Sequence, residues 1–300
     1  MSKVRTLKHA FRKMSSACEV ARHDYCEMFS KAKAEVSSLR LVEIPTSKVL
    51  VVGSGYNYPE VLLWSSFADI AVGVDVSKVF WRNGVWALVR DFRAGGKGQI
   101  SSFARAFVRR QAYSGYYDHL RKLSKLQLDE HHQNLVASDG IRLPFADEAF
   151  DIVCSNAVLE HVSNLDGLCD ELHRVTKPSG VCYHLWHNYY SLSGAHVPDD
   201  LALAHPWGHL LGDQEVEAWL RFTGTYLNKK LPSEIAAVLD RRFKRVSLNQ
   251  LDRSDNKKGT DEKFEYEGAR LFSPELETQL SAYGREVLLT RAYSFLGVRE

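Results

Sequence analysis

Asp139-Gly140-Ile141-Arg142-Leu143-Pro144-Phe145-Ala146-Asp147-Glu148-Ala149-Phe150-Asp151 runs directly into Ile152-Val153-Cys154-Ser155-Asn156-Ala157-Val158-Leu159-Glu160-His161-Val162. Phe150 to Ser155 is short and mostly apolar, which predicts a strand buried on both faces. Asp139 and Gly140 closely follow another short apolar run, Leu135 to Ala137. An acid and a glycine therefore stand beyond one strand end, and Asn156 stands at the end of the next.

Upstream, Val49-Leu50-Val51-Val52 is an apolar, mostly β-branched strand that ends in Gly53-Ser54-Gly55. Pro59 falls where the first turn of a helix starts, a place where its missing N–H costs nothing. Ile70 to Val76 is the next apolar strand, with Asp75 twenty residues after Gly55. A glycine turn by itself serves many strand–helix units. An acid at the end of the following strand adds the ability to accept hydrogen bonds from ribose hydroxyls. Dinucleotide-binding domains share both features, so the 139–162 run has to separate the classes.

Downstream, Asp166 to Val175 has helical spacing through Leu168, Leu172 and Val175. Lys177-Pro178-Ser179-Gly180 is expected to break it, and Val181 to Trp186 to form a fifth strand. Strands alternating with helices predict an α/β protein built on a doubly wound, mostly parallel sheet. Arg242 to Leu251 and Val287 to Val298 read as late strands, with Pro274 to Tyr283 as a helix between them. An antiparallel strand near the C-terminus would close one sheet edge. Residues 1–44 read as an N-terminal helical segment, and 45–300 as one domain carrying insertions at 78–126 and 187–231.

The 139–162 run resembles the class I S-adenosylmethionine-dependent methyltransferases, in the branch with D-(A/G)-x-x-L-P-F-x-D-x-x-F-D followed by S-x-x-V-L-E-H-V. Val175-Thr176-Lys177-Pro178-Ser179-Gly180 is similar to the "R-V-L-K-P-G-G" segment of that family. The resemblance covers residues 46–187 and implies a Rossmann-like fold, S-adenosyl-L-methionine as cofactor and methyltransferase activity. It implies that Gly53, Ser54 and Gly55 line the methionine part of the cofactor. Asp75 would hold the ribose hydroxyls, with Val76 against the adenine. Asp139 would accept the adenine amino group beside the Gly140 backbone, and Asn156 would lie where the cofactor's amino-acid end meets the acceptor. Two positions depart from the pattern: Val51 stands where an acid is common, and Asn57 where a third glycine is usual.

Methyl transfer from a sulfonium is an in-line displacement, and orientation alone can supply about 7–11 kcal/mol. An oxygen or nitrogen acceptor also calls for a base. His161 and His187 are the candidates, against a scaffold role for His161; His184, His196, His205 and His209 stand in or near the same region. His184-x-x-His187 and His205 to His209 have spacings that permit a metal, but no cysteine or tightly spaced acid pair accompanies them. No metal is expected.

Residues 78–126 hold eleven Lys or Arg against two acids, interleaved with aromatics. Three readings stay open: a nucleic-acid surface, a site for an anionic sugar, lipid or phosphate-bearing acceptor, or a helical cap with Phe103, Phe107 and, further on, Tyr117, Leu120 and Leu123 at helical spacing on its core face. The expected acceptor is a small molecule or glycan building block, methylated on a hydroxyl, with a nucleic acid as the alternative enzyme substrate. A non-catalytic binding module is the alternative of another class. Lys3, Arg5, Lys8, Arg12 and Lys13 recur with apolar residues at helical spacing, so peripheral membrane contact is compatible with this segment. Five scattered cysteines, no apolar run of membrane-spanning length and no signal-peptide pattern give a cytoplasmic expectation.

Overall fold

The computed structural model describes residues 17–55, 58–76, 115–129, 134–253 and 270–300. Seven strands are hydrogen-bonded in the order β3-β2-β1-β4-β5-β7-β6. They are β1 (Lys48–Val52), β2 (Ile70–Asp75), β3 (Asn134–Ala137), β4 (Phe150–Asn156), β5 (Thr176–His187), β6 (Lys244–Arg253) and β7 (Thr290–Val298). β2 runs parallel to both β1 and β3, and β6 is antiparallel to β7. This is the expected doubly wound, mostly parallel sheet with an antiparallel end. The chain divides into two compact units, Ser2–Cys154 with Arg174–Val181, and Ser155–His173 with Cys182–Glu300.

In the first unit, Val49 to Val52 of β1 are all buried, as an interior parallel strand requires. Helix α3 (Pro59–Ser65) covers this sheet with Val61, Leu62, Leu63 and Trp64. Gly73 of β2 permits the close approach: a Cβ there would lie 2.7 Å from both Val61 Cγ2 and Leu135 Cδ2, and 3.0 Å from Ser54 Cβ. Val51 pairs with Gly73 and is 1% exposed, so the position where the resemblance led to an acid being expected is core here.

Helix α1 (Ala17–Arg22), a π-helical stretch (His23–Phe29) and α2 (Ser30–Ser38) precede β1. Phe29 meets Trp64 edge-on at 5.1 Å, and Asp24 accepts a hydrogen bond from Tyr116 at 2.5 Å. Tyr116 opens helix α4 (Tyr116–Ser124), the described part of the basic insertion. Its buried face is Tyr116, Leu120 and Ser124. Leu123, expected on that face, is 36% exposed. The i, i+4, i+8 row of α4 is thus offset from the row read off the sequence. Phe103, Phe107 and Asn57 lie outside the described residues, as does the basic stretch Lys3–Lys13.

Helix α5 (Leu165–Val175) leads into β5. Lys177-Pro178-Ser179-Gly180, expected as a break, belongs to β5 as an irregular start. Ser179 takes a left-handed φ of 61°, and a Cβ on Gly180 would lie 2.7 Å from the Lys177 carbonyl. Asp151 holds this corner: its Oδ1 meets Lys177 Nζ at 2.7 Å and its Oδ2 accepts the Lys48 N–H at 2.8 Å.

The second unit contains α6 (Asp199–Ala204), α7 (Gly208–Leu211), α8 (Gln214–Thr223), α9 (Pro232–Asp240), α10 (Pro274–Gln279) and α11 (Arg285–Leu288). The last corrects a boundary: Val287 and Leu288, expected to open the final strand, lie in this helical turn, and β7 begins at Thr290. The Thr290 hydroxyl donates to Glu286 O at 2.8 Å and closes that turn. Trp186 stacks on Tyr293, ring centres 5.9 Å apart, between β5 and β7. Cys154, Cys169 and Cys182 are buried, and burial raises all three thiols, Cys169 to about 12. No helix among the described residues is long and apolar enough to cross a membrane.

Candidate active site

The glycine turn is a hydrogen-bonded object before any ligand is considered. Gly53 and Ser54 both donate their N–H to the Val74 carbonyl, at 2.7 and 3.0 Å. Gly55 then donates to Asp75 Oδ2 at 2.9 Å. Gly53 and Gly55 take φ of 69° and 67°, a region costly for residues with a Cβ. Around the position of a Gly55 Cβ nothing lies within 4 Å among the described residues. Ser54 Oγ is buried and has no hydrogen-bond partner among the described residues. An orphaned buried hydroxyl beside two glycines without side chains suits a polar ligand laid along the turn.

Val76, at the end of β2, is 73% exposed, an unusual state for a valine beside a core strand. Asp139 is exposed and accepts the Ile141 N–H at 3.1 Å, an Asx-type turn. Gly140 is buried at φ 81° and donates to Ser138 Oγ at 3.2 Å. Ser138 N–H bonds the Asp75 carbonyl at 3.0 Å, joining this loop to the end of β2. The Leu-Pro-Phe-x-Asp run is held by one guanidinium: Arg174 donates to Leu143 O, Phe145 O and Asp147 Oδ1 at 3.2, 2.9 and 2.7 Å. Those motif residues shape the loop.

Asn156, in the second unit, has a buried Oδ1 with no hydrogen-bond partner among the described residues. The Leu159–His161 turn follows it. Asn228 clamps that turn by donating from Nδ2 to Leu159 O (2.7 Å) and Val162 O (3.2 Å) and from its N–H to Glu160 O (2.8 Å). Glu160 is therefore fixed while only 2% exposed. Its Oε1 accepts the His187 N–H at 3.1 Å and lies 3.3 Å from His187 Nδ1. Burial pushes the Glu160 carboxyl up, but the hydrogen bond and charge of His187, with the charge of His161, outweigh it and hold it below the usual range.

The six histidines considered as bases separate cleanly. His161 rests its Nδ1 against Tyr226 O at 2.9 Å, and His196 meets both His161 and His187 edge-on, at 5.0 and 5.3 Å. His184 is fully buried against Ser155 Oγ at 2.8 Å, and burial lowers it to about 3. His205 pairs with Asp213 at 2.8 Å, and His209 with Tyr189 O at 2.8 Å. His161, His187 and His196 thus form one cluster with Glu160; His184, His205 and His209 have structural partners elsewhere. Glu160 is the residue that sequence reasoning left without a role. Its only signal was a charged side chain embedded in an otherwise apolar motif.

Residues 94–184 match the family model described as "Methyltransferase domain". A demethylmenaquinone methyltransferase of Streptomyces griseus is 34% identical over 106 residues, 33% of this chain and 46% of that protein. An uncharacterized methyltransferase of Mycolicibacterium vanbaalenii is 32% identical over 103 residues, 34% and 38% of the two chains. The chain thus spans less than half the length of these curated relatives. A solved S-adenosylmethionine-dependent methyltransferase from Mesorhizobium loti superposes with a TM-score of 0.46 at 12% identity, over 89% of this chain and 98% of that one. Asp139 and the Leu143–Val162 run fall inside the matched segment; the glycine turn and Asp75 lie before it. Residues 94–184 are thus similar to the methyltransferase-domain family, and the chain carries a Rossmann-like, mostly parallel seven-stranded sheet.

Proposed function

We propose that this chain is an S-adenosyl-L-methionine-dependent methyltransferase that acts on a hydroxyl of a small-molecule or glycan-type acceptor. The observation that carries the reading is the left-handed turn at Gly53-Ser54-Gly55, tied to Asp75, whose Ser54 hydroxyl is buried without a hydrogen-bond partner among the described residues. Gly53, Ser54 and Gly55 would lie along the methionine part of the cofactor. An ionised carboxylate has about four acceptor sites, so Asp75 can serve both Gly55 and ribose hydroxyls. Exposed Val76 offers an apolar surface for the adenine, Asp139 an acceptor for its amino group and the Gly140 loop a rim. Asn156 Oδ1 is a candidate acceptor for a cationic amino group. The bound cofactor supplies an electrophilic methyl group on a sulfonium.

On the acceptor side, Glu160 fixes the ring of His187, and His161 is fixed by the Tyr226 carbonyl. Either imidazole can take a hydroxyl proton as methyl transfer proceeds. The name of the Streptomyces relative supports a small-molecule acceptor.

Calorimetry of the purified chain with S-adenosylmethionine tests the cofactor reading. Saturable binding to the native chain, lost in Asp75→Ala, is the expected result. No heat for the native chain sinks the reading. Transfer of a labelled methyl group into a metabolite extract then separates an enzyme from a binding module, and gives the acceptor class.

A further inference from the structure

Glu160, His187 and His196 each offer one ligand atom, and the three atoms all lie within 4.8 Å of one another. We propose that they form a binding site for a divalent transition-metal cation of the zinc class, with two imidazole nitrogens and one carboxylate oxygen as protein ligands. The site is distinct from the cofactor residues, and its occupancy can be tested without methyl transfer.

Three observations carry it. First, Glu160 has a buried Oε2 with no hydrogen-bond partner among the described residues, although Oε1 is taken by His187. An unmet charged oxygen of this kind is costly, and an ion is one of the few things that explains it in a folded protein. Second, the three residues stand on separately anchored backbone. Glu160 is on the turn clamped by Asn228, and His187 ends β5. His196 closes a tight loop: its N–H bonds Ser193 O at 3.0 Å, and its backbone is left-handed at φ 55°. In that loop a Cβ on Gly194 would lie 2.2 Å from both Asn188 O and Tyr189 O, so the chain there has one way to run. Third, the donor chemistry is selective. Two neutral imidazoles and one carboxylate carry a single negative charge, which suits a dication. Nitrogen donors favour zinc, cobalt, nickel or ferrous iron over calcium and magnesium, which prefer all-oxygen shells.

The spacing is nearly that of a closed site. With ligand bonds of about 2.1 Å, donors on opposite sides of a cation are about 4.2 Å apart and neighbouring donors closer. Small side-chain rotations bring the observed set within that range. Three protein ligands also leave at least one coordination position open, the pattern of sites that bind a water or a substrate oxygen. His196 is exposed and provides the entry side, while Glu160 closes the floor. His161 packs edge-on against His196 and rests its Nδ1 on Tyr226 O, a neighbour that can steer the ligand ring. With the cation in place, His187 serves as ligand and the cation orients an acceptor oxygen.

The test is titration of the metal-stripped full chain with zinc chloride, followed by cobalt chloride as an optical probe. One saturable zinc site per chain is expected, with a d–d absorption band for cobalt whose intensity reports four or five ligands. His196→Ala and Glu160→Gln are each expected to weaken zinc binding by at least about tenfold. His196 is on the surface, so its variant should keep the native melting curve even if Glu160→Gln does not. His205→Ala, in a separate His–carboxylate pair, should bind zinc as the native chain does. Absence of saturable zinc binding overturns the inference. So does zinc binding that survives in both His187→Ala and His196→Ala, or that disappears only in His205→Ala.

Discussion

The N–H of Gly55 donates to Asp75 Oδ2 at 2.9 Å, across twenty residues of sequence. One carboxylate thereby holds the shape of the turn, in addition to the ribose-binding role proposed for it. The two roles can be separated by substitution.

Asp75→Asn keeps an oxygen for Gly55 and loses the charge offered to ribose. Asp75→Ala loses both. Cofactor affinity measured by calorimetry should fall in both variants, by about tenfold or more, since a charge-assisted hydrogen bond is worth about 1.5–3 kcal/mol. Thermal stability should fall by about 1 kcal/mol in Asp75→Ala only. Equal melting points with unequal affinities would confirm that the turn survives without the carboxylate; equal affinities would remove Asp75 from the site.

Gly73→Ala should destabilise the chain by about 1–3 kcal/mol, because the new methyl group meets Val61 and Leu135 at 2.7 Å. It also meets Ser54 Cβ at 3.0 Å, so cofactor affinity should drop with stability. Urea unfolding and calorimetry on the same sample check both. An unchanged unfolding midpoint would mean that α3 is not seated on β2 as described.

Acid should unfold this protein early. Burial lowers His184 to about 3 and His209 to about 4, from an ordinary value of 6.5; the Tyr189 carbonyl offsets part of the effect at His209. The unfolded chain therefore binds protons that the folded chain refuses, between pH 6.5 and those lower values. The stability they support is complete above pH 6.5 and is lost as the pH falls, by up to about 1.4 kcal/mol per pH unit for each histidine. Denaturant midpoints measured from pH 7 to pH 4 should slope downward. His184→Gln should flatten that slope, and a parallel slope in the variant would contradict the assignment.

Asn188 is 1% exposed and knots the second unit. Its Nδ2 donates to Val287 O and Thr290 O at 2.7 and 2.8 Å, and its Oδ1 accepts the Tyr190 N–H at 3.0 Å. Asn188→Ala removes three hydrogen bonds, the one to Thr290 O fully buried, and should cost about 2–4 kcal/mol. Asn188→Asp has the same shape but turns two donors into a charge facing carbonyls. It should be at least as harmful, as read by thermal unfolding.

The parallel core was legible because β1 and β4 are buried along most of their length, which leaves a continuous apolar record in Val49–Val52 and Ile152–Cys154. Asp75 and Asp139 stood out for the complementary reason: each is an acid placed at or just beyond the end of such a run. Pro178 and Gly180 ended the helix at Val175 as expected, but their local turn signal hid the early start of β5 at Thr176, where Asp151 holds Lys177. The histidine cluster was half legible. His161 and His187 were visible as residue types, but their partnership with Glu160 depends on Asn228, sixty-eight residues further on. No local pattern encodes such a pairing.

The contact between Asp24 and Tyr116 has a consequence for how the polypeptide can be divided. The helices ahead of β1 look like an appendage that could be trimmed for expression or exchanged between relatives. Through Asp24 they hold the helix that closes the basic insertion, and through Phe29 they shield Trp64. Trimming before residue 45 would strip one wall from an aromatic seam and unmoor a neighbour far away in sequence. A fusion partner or affinity handle is better joined ahead of these helices than put in their place.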